Sequence, residues 1–181
     1  STSTSLVEFV ASELLRSKRI SEMAALELIE LGAVYVGDAR TLNPARRLSV
    51  GDAVRIHSSP RRFEVPRDLA ARILRENERA LLVEKPAGLP TEATIDNFRE
   101  NLKSALEDLR GQNLEPVHSL EIETSGLVVI AKSPAAHADL KKALAAGTLK
   151  RRYAAFVERP LEVGSRDGFD VIACEIGRAH V

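Results

Sequence analysis

Residues 118–126 read His-Ser-Leu-Glu-Ile-Glu-Thr-Ser-Gly and run into the apolar stretch LVVIAK. A carboxylate, Glu121, therefore stands just ahead of a Thr-Ser-Gly turn at the mouth of a buried strand. Polar groups held there can carry chemistry, and Glu121 is the candidate catalytic carboxylate. Glu123 is a second acid in the same stretch and carries less weight. His118 reads as a residue that caps or hydrogen-bonds the loop rather than as a general base.

Positioning these groups requires strands and tight turns, and the pattern supplies them. Ser5 with Glu8 is a capping-box pair, and Leu6, Val10 and Leu14 share one helical face. After the basic turn Arg16-Ser17-Lys18-Arg19, Ser21 caps a second helix that runs to Leu31, and Gly32 ends it. AVYV (33–36) predicts a strand with a Gly37-Asp38 turn, and LSVGDAVRI (48–56) another around Gly51-Asp52. The unperiodic, proline-containing stretch around 58–68 predicts a linker. RILRENERALLVEK predicts a hairpin turning near Glu76 to Arg79. Phe98, Leu102, Leu106 and Leu109 predict a helix stopped by Gly111. Ser133-Pro134 starts a helix to Ala146, followed by Gly147, and residues 149–158 predict a strand.

Composition narrows the class. The 181 residues allow one or two domains. They are 44% hydrophobic and carry 26 basic and 26 acidic side chains. Zero net charge argues against a polybasic protein, so any nucleic-acid contact must come from local clusters. Cys174 is the single cysteine, which excludes an intrachain disulfide and fits a reducing compartment. The longest apolar runs are too short to span a bilayer, and STSTS lacks the features of a signal peptide. Histidines at 57, 118, 137 and 180 show no metal-ligand spacing.

The order helix, basic turn, helix, Gly, strand, Gly-Asp turn, strand resembles the αL-type RNA-binding fold. The matching residues are Ser17-Lys18-Arg19-Ile20-Ser21, Leu28-Ile29, Leu31 to Val36, and Val50-Gly51-Asp52-Ala53-Val54. Two basic groups support it on physical grounds: Arg16, Lys18 and Arg19 at the helix–helix turn, and Arg46, Arg47, Arg55, Arg61 and Arg62. Such clusters contact phosphate with an affinity that falls as salt rises. The resemblance implies recognition of structured RNA by shape.

Residues 72–162 resemble the first half of the catalytic domain of RluA-type pseudouridine synthases. Val83-Glu84-Lys85-Pro86-Ala87-Gly88-Leu89 matches a strand leading into Lys-Pro-x-Gly. Residues 118–126 match the family's His-Arg-Leu-Asp-x-x-Thr-Ser-Gly, again followed by an apolar strand ending Ala-Lys. Arg151-Arg152-Tyr153 matches a basic residue, one position, and Tyr. The resemblance implies an isomerase that acts on a uridine taken out of its stack. The motif carboxylate attacks or deprotonates the nucleotide. The motif Arg supports the flipped-out state, and the Tyr packs on the uracil ring. It implies Lys85, Arg151 and Arg152 near phosphate, and no metal or organic cofactor.

Two positions depart from that motif. Glu121 stands where the Asp belongs, and Ser119 where the Arg belongs. Acidity is not the issue, since Asp and Glu differ little, at about 3.9 and 4.3. One extra methylene displaces the carboxylate by roughly an ångström, enough to cost on the order of a hundredfold in rate. The expectation is therefore impaired catalysis with the RNA cleft kept, beside the active-enzyme reading. The expected fold class is α+β: an αL-type domain at 1–57, a linker at 58–70, and the N-terminal part of a catalytic domain with a largely antiparallel sheet at 71–174. EIGRAHV (175–181) back-translates to a widely used sequencing adapter. It is expected to be a non-native tail on a domain that is naturally longer. Structured rRNA or tRNA is the expected partner and the cytoplasm the expected compartment, with no membrane association.

Overall fold

The computed structural model describes residues 4–16 and 22–154. Lys18, Arg19, the Ser21 cap, the end of the strand expected at 149–158 and the tail at 175–181 lie outside the described residues. Residues 149–154 are described and form no named strand. The chain divides into two compact units, Ser1–Ala138 and Asp139–Val181. Both helices and sheets are present, and among the described residues every strand pairing is antiparallel, as the α+β expectation requires.

Helix α1 (Leu6–Arg16) begins as its capping pair predicts, with Ser5 N donating to Glu8 Oε2 at 2.9 Å. Leu6, Val10 and Leu14 are buried on one face. They form a core with Leu28 and Ile29 of α2 (Glu22–Leu31) and with Val34 and Val36. Strands β1 (Val34–Val36), β2 (Ala39–Arg40) and β3 (Val54–Ile56) form a sheet of order β2-β1-β3. Gly32 ends α2 with φ +82, a conformation L side chains rarely adopt, and a Cβ there would lie 2.5 Å from Phe98 Cβ. Gly32→Ala is therefore expected to lower stability by about 2 kcal/mol or more, read as a shift in denaturant midpoint.

The second sheet has the order β4-β5-β7-β6, from β4 (Ile73–Glu76), β5 (Ala80–Lys85), β6 (Glu115–Pro116) and β7 (Gly126–Ala131). Leu81 pairs with Ile130, Val83 with Val128, and Lys85 with Gly126. Side chains alternate along a strand, so Leu81, Val83 and Lys85 share the buried face with Val128 and Ile130. Helix α3 (Leu102–Arg110) buries Leu102 and Leu106 and ends at Gly111. Phe98, expected inside this helix, precedes it. Asn101 takes the N-cap, its side chain accepting from Ser104 N, and a cap residue outcompetes the apolar period. Helix α4 (Pro134–Ala145) starts at the predicted Ser-Pro.

The stretch expected to be a linker is firmly held. Phe63 and Leu69 are buried. Arg62 binds Glu27 at 2.8 Å and Glu100 at 2.7 Å, joining α2 to the segment before α3. Burial alone would raise the Glu100 carboxyl. The Arg62 guanidinium, the Phe63 N–H and the Asn97 amide outweigh it and hold the group below its ordinary value of 4.5. A carboxyl depressed in the folded state stabilises above its unfolded value and loses that contribution as pH falls through the lowered one. Melting temperature should therefore drop more steeply below pH 4.5 in the native protein than in Glu100→Gln. Parallel curves for the two proteins would contradict this.

Candidate active site

Strand β5 delivers Lys85 into the loop 86–90, and the segment 117–125 passes alongside it before β7. Lys85 is fully buried. Its Nζ donates to Pro86 O at 2.9 Å, Leu89 O at 2.7 Å and Ile122 O at 3.2 Å. An ammonium group has three donors, and all three are used here. Desolvation pushes the Lys85 amine below its ordinary value, against the opposing pull of Glu123. Lys85, expected near phosphate, thus has its donors on backbone carbonyls and ties the loop 86–90 to the Glu121 segment from within.

Glu121 itself is exposed, and both neighbours are pinned. Leu120 is buried; its N–H donates to Thr91 Oγ1 at 3.0 Å, and its carbonyl accepts from the same hydroxyl at 2.9 Å. The Ile122 carbonyl accepts from Gly88 N at 2.7 Å as well as from Lys85. Glu121 O accepts from Thr124 N at 3.0 Å, closing the turn before Ser125 and Gly126. Gly126 has φ +137, which suits glycine where the turn enters β7. The backbone on either side of the carboxylate is thus fixed while the side chain faces solvent. That combination suits a group meant to meet a large ligand.

Ser119 shares the outward side with Glu121, since Leu120 between them points inward. Its hydroxyl donates to Glu92 Oε2 at 2.6 Å. Where the resemblance implies a guanidinium, this chain therefore presents a hydroxyl tied to a carboxylate. His118 is buried, and its Nε2 accepts from Val129 N at 3.4 Å, a loop-holding role. Glu123 is exposed.

The described basic candidates differ in their surroundings. Arg16 is exposed and paired with Glu13 at 2.9 Å. Arg46 and Arg47 follow the loop that seats α1, where Arg46 O accepts from Leu6 N. Arg62, included in the second basic group, is engaged between two carboxylates. Arg151 and Arg152 are exposed and Tyr153 is half-buried, all in the second unit. Thr91 and Glu92, which hold the Glu121 segment, escaped the sequence reading. A single Thr-Glu in a loop has no period or motif to mark it.

A profile for the family described as RNA pseudouridylate synthase matches residues 79–171. The chain belongs to this family. An uncharacterised RNA pseudouridine synthase of Mycoplasma pneumoniae is 31% identical over 150 residues, covering 79% of this chain and 48% of that protein. One of Aquifex aeolicus is 32% identical over 157 residues, covering 75% and 49%. A ribosomal large subunit pseudouridine synthase D of Zymomonas mobilis is 34% identical over 102 residues, covering 51% and 32%. These relatives agree with the RluA-type resemblance at the level of the family. The chain spans about half the length of the first two and less of the third. Among the described residues, no helix is long and apolar enough to cross a membrane.

Proposed function

We propose that the protein isomerises uridine to pseudouridine in structured RNA, ribosomal or transfer, with Glu121 as the acting carboxylate. The observation that carries this reading is the exposed Glu121 between two pinned residues, Leu120 and Ile122. In the reaction the bond from ribose C1′ to N1 breaks and a bond from C1′ to C5 forms. The C5 hydrogen leaves as a proton and N1 gains one, so the change is redox-neutral and calls for no cofactor. The uridine must first be unstacked to be reached. Tyr153 is assigned to packing on the uracil ring. Arg151 and Arg152 take phosphate, and Ser119 lines the RNA-facing side beside Glu121. The module at 1–57 is assigned to RNA through Arg16, Lys18, Arg19, Arg46 and Arg47, and the protein to the cytoplasm.

The names of the relatives support an active enzyme over the impaired form that Ser119 and Glu121 suggested. The test is release of tritium from C5-labelled uridine in ribosomal and transfer RNA transcripts. Release by the native protein and its loss in Glu121→Gln are the expected results. No release from any structured RNA, or equal release by Glu121→Gln, would overturn the assignment.

A further inference from the structure

The segment from Thr91 to Phe98 is gripped at both ends by different parts of the same compact unit. At its start, Thr91 clamps the N–H and carbonyl of Leu120, next to Glu121, and Glu92 accepts from Ser119. At its far end the N-terminal module takes hold. Arg40 Nη2 donates to Thr94 O and, at 3.3 Å, to Ile95 O. Tyr35 Oη donates to Ile95 O at 2.7 Å, and Phe98 N donates to Leu31 O at 2.7 Å. Arg40 is locked in turn: Nη1 donates to Gly32 O at 2.9 Å and Nη2 to Tyr35 Oη at 2.6 Å. Its guanidinium also lies 5.1 Å from the centre of the Tyr35 ring and 5.5 Å from that of Phe98.

The strap between these grips has little slack. Only Glu92 and Ala93 separate Thr91 from Thr94, and Glu92 is itself bonded. Thr94 N donates to Asn97 O at 2.9 Å, which stiffens the turn. The carbonyls of Pro90 and Thr91 accept the first amides of α3, from Leu102 and Lys103. The path from Arg40 to the Leu120 amide is thus a contiguous chain of hydrogen bonds and short covalent links, the kind of route along which packing at one place constrains another.

We infer that this strap transmits the seating of the N-terminal module to Glu121, which makes Arg40 and Tyr35 positioning residues for a carboxylate they do not touch. RNA held by the module would then act on the reacting group through residues 91–98, and not solely by bringing substrate close. The inference rests on Glu121 being the working carboxylate. Its structural half can be tested without turnover.

The test is amide hydrogen exchange of Leu120 in the full chain, with Val83 and Val128 of the sheet as internal references. Tyr35→Phe removes one strap bond and keeps the ring. Arg40→Lys keeps the charge but loses the planar fork. Both are expected to speed Leu120 exchange by about tenfold and to leave the reference amides unchanged. Thr91→Val, which removes the Leu120 clamp directly, should reproduce the effect. If Phe98 exchange rises while Leu120 stays protected, the module can loosen without reaching the site, and the inference is overturned. Should Arg40→Lys also disturb the sheet, the milder Tyr35→Phe decides by the same criterion. In C5 tritium release, both variants should lower kcat with KM for RNA unchanged; a rise in KM alone would overturn the positioning role. Absence of release by the native protein would count against the Glu121 assignment, while the exchange result would still decide the strap.

Discussion

Glu121→Gln is expected to lower pseudouridine formation by on the order of 10³-fold, with RNA retention at low salt unchanged. The amide has nearly the shape of the carboxylate but lacks its basicity and nucleophilicity. The backbone held by Thr91, Lys85 and Gly88 makes no use of the Glu121 side chain, so the fold should not notice. The companion variant is Ser119→Arg with Glu121→Asp. Withdrawing the carboxylate by one methylene moves it by roughly an ångström, and in a site with fixed flanks that shift is worth about a hundredfold. The introduced guanidinium would meet Glu92, which now accepts from Ser119 Oγ. Turnover is therefore expected to rise in the double variant. Turnover appearing only in the double variant, with none in the native protein, would show instead that the native site has lost its chemistry.

The elements around the candidate site were legible from the sequence where a motif and local geometry coincide. The Thr-Ser-Gly turn and the apolar run that becomes β7 follow from a short motif. Glycine after an apolar helical period likewise marks the helix ends at Gly32 and Gly111. What stayed illegible depends on distant partners. The motif around Lys85 implies a place near phosphate and says nothing of its burial, which depends on the Pro86, Leu89 and Ile122 carbonyls converging on it. The stretch at 58–68 looked like a linker because it has no period. Yet Arg62 holds residues 35 and 38 positions away in the chain, and no local pattern encodes such a contact. Phe98 matched a helical spacing, but Asn101 intervened as the cap.

These long-range ties alter how the N-terminal module is understood. A module on a loose tether would contribute affinity through effective concentration alone. Here Arg62, Arg40, Tyr35 and the Phe98 amide hold it against residues 94–100. Under the proposed function, the separation between an RNA element on the module and a uridine at Glu121 is then set by the fold within this unit. A fixed separation favours RNA whose own structure matches it, which is recognition by shape.

Lys85→Met is expected to produce the largest loss of stability of any substitution considered, about 3 kcal/mol or more. Methionine fills a similar volume and spares the desolvation of a charge, so the side chain itself is not the cost. The cost lies with the acceptors. The Leu89 and Pro86 carbonyls would lose their ammonium partner inside the protein, and Ile122 O would keep only the Gly88 amide. The substitution should also reach the site, because the Ile122 clamp fixes the chain on the C-terminal side of Glu121. Two measurements separate the effects. Denaturant midpoint reads the stability loss, and exchange at the Gly88 amide reads release of the 86–90 loop from the Glu121 segment. A midpoint close to that of the native protein would mean that the carbonyls find other partners, and that Lys85 contributes little beyond filling space.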